Sequence, residues 1–213
     1  MASKKPQPST IRSASDKVVR CWWCDSSDLY RDYHDNEWGQ PVADDNRLFE
    51  KMCLEGFQAG LSWITVLNKR ESFRRCFKDF DIDKVARFRS ATVNKLVQDA
   101  SIIRHRGKIE STINNAKQAQ KIIKEQGSLA AFFWNFEPKK SPKRRSRKQV
   151  PAVTDESKAL SKELKRRGWS FVGPTTCYAL MQAMGMVNDH MANCASWKVV
   201  DEARKKFKRP TKS

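Results

Sequence analysis

The most constraining feature of this 213-residue sequence is an absence: nowhere do apolar and polar residues alternate over the length of a strand. Apolar residues three and four apart recur instead. Leu48, Phe49, Met52 and Cys53 follow the capping pair Asp44-Asp45. Leu61, Ile64, Val66, Leu67, Phe73 and Phe77 continue the pattern around a charged face of Lys69, Arg70, Arg74 and Arg75. Asp81 or Asp83 starts a short helix through Val85 and Phe88, and Thr92 another through Val93, Leu96 and Val97. Residues 107–125 carry the longest stripe, made of Ile109, Ile113, Ala116, Ala119 and Ile123. Helix resumes near Asp155 or Ser157, through Leu160 and Leu164, and again from Cys177 to Met184. The reading is an all-α chain without an internal repeat, long enough for a sizeable buried core.

Where the charge lies narrows the partner. Lys and Arg total 42 against 24 Asp and Glu, a net +18. Residues 1–20 hold +4 of this, 139–149 hold +7 and 198–213 hold +5, so the remainder is close to neutral. The expectation is a disordered basic tail over 1–19, a globule over 20–197 interrupted by a basic, proline-broken loop at 137–156, and a basic C-terminal tail over 198–213. Such cationic segments point to a polyanion, nucleic acid before membrane, because no stretch is apolar enough to insert. The N-terminal residues MASKKPQPST lack the apolar region of a secretory signal, so the expected location is intracellular. The run from Pro138 to Lys148 reads as a nuclear address in a eukaryote or as a loose DNA clamp.

In that setting the six cysteines are read as thiols or metal ligands rather than disulfides. Cys53, Cys76 and Cys177 fall within helical patterns as small buried hydrophobes. His190 and Cys194 are four apart, and Cys21 and His34 thirteen apart. Two Cys and two His would complete a closed tetrahedral zinc site, with Cys21-x2-Cys24 as a competing pair.

Two further constellations carry chemistry. Arg166-Arg167-Gly168-Trp169-Ser170-Phe171-Val172-Gly173-Pro174-Thr175 has the form of a helix, a tight turn and a second helix opened by Gly-Pro. N–H groups at that second helix start can hold a phosphate, with Arg166 and Arg167 beside them; an ordinary two-helix corner is the alternative. Trp22, Trp23, Tyr30, Tyr33, Trp38, Phe57 and Trp63 crowd one region with a single acid, Glu55, in an otherwise apolar helix. Rings with one carboxylate suit a planar cationic ligand; a Trp-rich core with Glu55 facing water is the alternative.

Four signatures add a resemblance. Tyr33-His34-Asp35-Asn36-Glu37-Trp38-Gly39, Leu54-Glu55-Gly56-Phe57-Gln58-Ala59-Gly60-Leu61-Ser62-Trp63, Ile102-Ile103-Arg104-His105-Arg106-Gly107-Lys108-Ile109 and Val187-Asn188-Asp189-His190 stand in order. Together they are similar to the 3-methyladenine DNA glycosylase I (TAG) family over about 21–136 and 157–196. The resemblance implies an all-α helix-hairpin-helix fold with a structural zinc joining the two ends of the globule. It also implies a monomeric enzyme that flips and excises 3-methyladenine from alkylated double-stranded DNA, leaving an abasic site. Cys21, His34, His190 and Cys194 match its zinc ligands, and Glu55 the acid that reads the flipped base. Tyr33 and Trp63 match residues that enclose the base, and Trp23, Tyr30 and Trp38 other pocket aromatics. Arg166, Arg167, Gly168, Gly173 and Thr175 are the expected DNA contacts. The hairpin neighbourhood, Gly173-Pro174-Thr175-Thr176, lacks the lysine of strand-cleaving relatives, so no lyase activity is expected. The competing readings are a catalytically inactive zinc- and DNA-binding member and an enzyme for another lesion such as 3-methylguanine.

Overall fold

Short polar side chains at the heads of the apolar stripes set where each helix begins. The structure is a computed structural model that describes residues 8–212. It opens with a two-stranded antiparallel ribbon, β1 (Thr10–Arg12) and β2 (Val19–Cys21). Eleven helices follow among the described residues. They are α1 (Asp28–Asp32), α2 (Asp45–Gln58), α3 (Trp63–Leu67), α4 (Arg70–Cys76), α5 (Ile82–Ala86), α6 (Ser90–Gln98), α7 (Arg106–Gln126), α8 (Leu129–Trp134), α9 (Asp155–Arg166), α10 (Pro174–Ala183) and α11 (Ser196–Lys206). The expected helical class is met.

Asp44 accepts from the Arg47 N–H at 2.8 Å, and Asp81 from the Lys84 N–H at 2.9 Å. Thr154 and Ser157 cap each other reciprocally at the head of α9. Each such cap stabilises its helix by about 1 kcal/mol. Thus Asp81 rather than Asp83 starts α5, Thr154 caps the helix expected from Asp155 or Ser157, and α6 begins at Ser90, two residues ahead of Thr92.

The core is organised by α2, in which every residue from Leu48 to Phe57 is buried. A helix covered on all sides must pair its charged residues internally. Against α2 pack α10, α7 and α8, and α10 packs in turn on α9. Phe57 meets Phe73 at 4.5 Å between ring centroids, and Phe77 stacks on Phe80 at 5.5 Å. Each buried ring contributes about 1.5–3 kcal/mol. The C-terminal carbonyls of α2 are met by Lys108 of α7, whose Nζ donates to Phe57 O at 2.9 Å and Ala59 O at 2.6 Å. The same signature supplies His105, whose Nδ1 accepts from the Lys108 N–H and caps α7.

One glycine fixes how two distant segments meet. Gly185 has φ +76°, and a Cβ there would lie 2.5 Å from Pro41 N, so only glycine lets the 39–42 segment lie against the end of α10. Gly39 N–H then donates to Ala183 O and Val42 N–H to Met184 O.

Three expectations at the edges are corrected. Residues 1–7 of the tail expected to be disordered lie outside the described residues, but 8–19 are ordered on the globule. Arg20 explains this: its guanidinium bonds Asp16 and Asp35, drawing the turn before β2 back onto the core. The C-terminal segment 198–213 is not a tail in its described part, since α11 runs to Lys206 and buries Val200, and Phe207 packs on Trp134 at 4.6 Å. Arg204 and Arg209 both bond Glu137. The basic loop 137–156 is likewise applied to the surface: Lys143 lies over Trp197, Arg147 over Trp22, and Arg144 bonds Asp189. Cys53 and Cys177 are buried as expected, whereas Cys76 is half-buried with its thiol donating to Asp99.

Candidate active site and metal centre

Tyr33 and His34 occupy a π-helical turn, Tyr33–Glu37, that continues α1 and is closed by Trp38 N–H donating to Tyr33 O at 2.9 Å. Such widened turns reorient side chains and recur at functional sites. Here neighbouring residues serve two centres: Tyr33 faces an aromatic pocket, and His34 a cluster of thiols and imidazoles.

The cluster is Cys21, His34, His190 and Cys194, all buried, with one donor atom from each lying within 4.8 Å of the others. Cys21 Sγ is 3.7 Å from His190 Nδ1, and Cys194 Sγ is 3.5 Å from His34 Nε2 and 3.6 Å from His190 Nδ1. A tetrahedral zinc with bonds of about 2.3 Å to sulfur and about 2.0 Å to nitrogen would set S–N edges of roughly 3.5 Å, so the donors fit. The outer ring nitrogens fit as well. His34 Nδ1 lies 2.7 Å from Asp35 Oδ1, and His190 Nε2 lies 2.9 Å from Trp38 O. Both acceptors hold the ring proton outward and turn the other nitrogen's lone pair inward, the usual support of a metal-binding imidazole.

Electrostatics within the cluster favour a thiolate at Cys194. Donation from Cys21 draws Cys194 down to about 2 against the opposing effect of burial, while Cys21 itself is pushed up by the same hydrogen bond and by burial. Burial alone would lower His34, but hydrogen bonds with Cys194 and Cys24 raise it to about 10. Cys24, the competing ligand, instead donates to Cys21 O at 3.3 Å and stands outside the set of four.

Beside the cluster is a cavity of about 290 Å³ lined by Trp22, Trp23, Tyr30, Tyr33, Trp38, Glu55, Gln58 and Trp63, and closed by Val150, Ala179, Gln182 and Asp189. That volume is at the small end for ligand pockets, about 300–1,000 Å³, and suits one planar ring system. Trp23 is its hinge of contacts, with Tyr30 and Trp38 both at 5.0 Å and His34 at 5.1 Å. Tyr33 and Trp63 face each other at 5.5 Å. Burial, then Cys24 and Glu55, push the Tyr30 hydroxyl up to about 12; burial and Glu55 push Tyr33 up further. Both therefore remain neutral donors near pH 7.

The structure thus gathers Glu55 and the five expected aromatic side chains around one space. Trp22 of the aromatic constellation joins the wall while Phe57 lies in the core; residues not anticipated there are Gln58, Ala179, Gln182 and Val150 in the wall, and Lys51 behind it. Gln58 lies three residues beyond Glu55, on the same helical face, which was a usable signal. Asp189 is 2 % exposed and accepts from Arg144 Nε at 2.8 Å, Tyr178 Oη at 2.5 Å and Gln182 Nε2 at 2.9 Å.

The α9–α10 corner is where the expected DNA contacts lie. Gly168 has φ +83°, a left-handed conformation that stops α9. Ser170 is clamped to α7, its N–H donating to Asn115 Oδ1 and its carbonyl accepting from Asn115 Nδ2, both at 3.0 Å. Gly173 precedes Pro174 at the head of α10, and a Cβ on it would meet open space. Thr175 is exposed. The two arginines differ from expectation: Arg166 is paired with Glu163 at the surface, and Arg167 is tied to Glu125 and Glu163 and lies over Phe132.

Fold and site define a largely helical protein with a partly open aromatic pocket that contains one buried acid, Glu55. Residues 23–198 match the methyladenine glycosylase family, and the chain belongs to that family. It is 49% identical over 183 residues to DNA-3-methyladenine glycosylase 1 of Escherichia coli (strain K12), covering 84% of this chain and 97% of that protein. It superposes on a crystal structure of 3-methyladenine DNA glycosylase I (TAG) with a TM-score of 0.80 and 48% identity, over 83% of this chain and 98% of the other. A TAG variant in complex with 3-methyladenine gives 0.77 at 32% identity, over 88% and 96%.

Proposed function

We propose that this chain is a monofunctional DNA glycosylase that excises 3-methyladenine from alkylated double-stranded DNA in base excision repair and works as a monomer. The observation that carries the reading is the pocket: a buried space for one ring system, walled by Tyr30, Tyr33, Trp23, Trp38 and Trp63, with Glu55 as its acid. Close relatives carry the same activity in their names.

The chemistry follows from the substrate. Methylation at N3 leaves the adenine ring cationic and its glycosidic bond weakened, so the departing base needs no general acid. Selection then becomes a matter of accepting, from an unstacked nucleotide, a ring that is flat and positively charged. Stacking and cation–π attraction come from the rings, charge and acceptor atoms from Glu55. Water completes displacement at the sugar.

The turn between α9 and α10 is read as the hairpin of a helix-hairpin-helix, the N–H groups of Gly173, Thr175 and Thr176 at the head of α10 meeting a phosphate while the base is out of the stack. Cys21, His34, His190 and Cys194 would hold zinc as a closed structural site, which supplies stability and leaves no open coordination position. The protein acts where the DNA is, in the nucleus of a eukaryote or at the nucleoid of a bacterium.

The test is release of free bases from DNA treated with a methylating agent, separated by chromatography. The expected product is 3-methyladenine with an abasic, unbroken strand. No release from DNA that the protein nevertheless binds would favour the inactive reading, and release chiefly of 3-methylguanine would overturn the substrate.

A further inference from the structure

Lys51 precedes Glu55 by one helical turn on α2, and both are nearly closed to solvent, at 5 % and 6 % exposed. The Lys51 ammonium lies 2.8 Å from Glu55 Oε1, donates to Tyr33 Oη at 2.7 Å, and sits 3.3 Å from the Trp63 ring centroid. It therefore touches three groups that form the pocket. Yet Lys51 does not line the pocket; it lines a smaller cavity on the far side of Tyr33 and Trp63. The charged groups sharing that cavity are matched among themselves, Arg70 and Arg47 with Glu37, and Arg74 with Glu50. Glu55 is the acid left for Lys51.

The reaction gives this arrangement a purpose. The C1′–N9 bond breaks with its electron pair passing into the ring, which becomes neutral; a water oxygen bonds C1′ and releases its proton to solvent. An unaccompanied carboxylate would hold the cationic ring best before the bond breaks, and that preference for the ground state raises the barrier. A fixed ammonium against the same carboxylate reverses the balance. The ring, Glu55 and Lys51 then sum to one positive charge before cleavage and to zero after it.

We infer that Lys51 is a positioning residue for excision: it orients Glu55 and supplies a buried positive charge that favours electron flow into the departing base. This rests on the reading of Glu55 as the acid that meets the base. Burial lowers the Lys51 pKa and Glu55 opposes that, consistent with an ammonium kept by its partner.

The test is steady-state excision of 3-methyladenine from methylated duplex DNA by Lys51→Met, which keeps length and apolarity, and by Lys51→Arg, which keeps the charge. Lys51→Met should lower KM and kcat together, each about tenfold, the signature of removed ground-state destabilisation; Lys51→Arg should recover kcat. A packing role alone would lower the melting temperature without that joint fall. Unchanged constants in Lys51→Met, a raised KM, or a folded Lys51→Arg protein with kcat as low as the Met variant would each overturn the inference. If Lys51→Met does not fold, the Arg variant decides alone, and a loss of kcat beyond about threefold overturns it. Glu55→Gln run in parallel separates the two ideas. Unchanged excision there removes the reading of Glu55, whereas impaired excision there with no effect of Lys51→Met removes only the role of Lys51.

Discussion

The base pocket and the α9–α10 hairpin lie on the same molecule but are made of different materials. The pocket is built from side chains: six aromatic residues, Glu55 with Lys51 paired behind it, and a wall whose acid, Asp189, is already engaged by three donors. The hairpin is built from backbone, held by Ser170 on α7 and leaving Gly173 facing open space. On the proposed function, the difference teaches that discrimination and grip are physically separable here. One can be altered by changing charge, the other only by changing how closely a chain approaches.

The largest effect should come from breaking what holds the pocket together. Treating the protein with a chelator to remove the zinc proposed for the cluster, or Cys194→Ala, would abolish a site type whose apparent binding free energy is on the order of 10 kcal/mol. His190 is bonded to Trp38 O and His34 packs on Trp23, so the pocket walls should loosen with the loss. Calorimetry should show a sharply lower melting temperature. An unchanged transition in protein shown to be metal-free would remove the clasp from the account.

Glu55→Gln comes next. Loss of the charge should cost excision roughly 1.5–3 kcal/mol, the worth of a hydrogen bond to a charged group, with affinity for undamaged DNA unchanged. Because Lys51 loses its partner in this variant, the melting temperature is measured alongside and excision is compared only between folded proteins. Equal loss on damaged and undamaged DNA would contradict the separation.

Gly173→Val is the mirror experiment. Its backbone is an ordinary extended one and a Cβ meets nothing, so stability should hold. Affinity for intact and abasic duplexes should fall alike by about 1 kcal/mol, the net worth of one hydrogen bond. A change in damage preference would show that the hairpin also selects.

The smallest effect is expected from Lys139, Lys140 and Lys148 changed together to Ala. These are exposed, whereas Arg144 and Arg147 of the same loop are spent on Asp189 and Trp22. For every DNA phosphate that one of these lysines neutralises, its removal should flatten the log–log salt slope by about 0.9, measured by titration at several salt concentrations. A slope equal to that of the unaltered protein would show that these lysines do not meet the DNA. Deleting 139–149 outright would be a poorer test, because Asp189 in the pocket wall would lose Arg144.

That loop shows what was hard to read in the sequence. Its net charge is plain in the residue letters, but Lys143 and Arg147 lie on tryptophan faces, and neither ring is near them in the chain. The C-terminal helix was obscured in the same way: Trp197, Val200 and Phe207 have helical spacing, but lysines between them dominate the composition. β1 was missed because three residues carry no alternation. By contrast, Asp44, Asp81 and the 107–125 stripe announced their helices through local chemistry alone. The four cluster residues were legible as types and spacings, and the family resemblance paired them. Lys51 was written in the sequence as an i,i+4 partner of Glu55, but a lysine in a buried stripe reads as solvent-facing until the helix proves to be covered on every side.

The contact between Cys21 and His190 spans 169 residues, and it bears on when the protein becomes competent during synthesis. A chain emerging from the ribosome N-terminus first exposes Glu55 well before Asp189, His190 and Cys194, which lie more than 130 residues further along. Closing so long a loop costs entropy that only the finished contacts repay. The pocket is therefore completed only after residue 189 has emerged, and a product truncated before it would carry Glu55 without that enclosure.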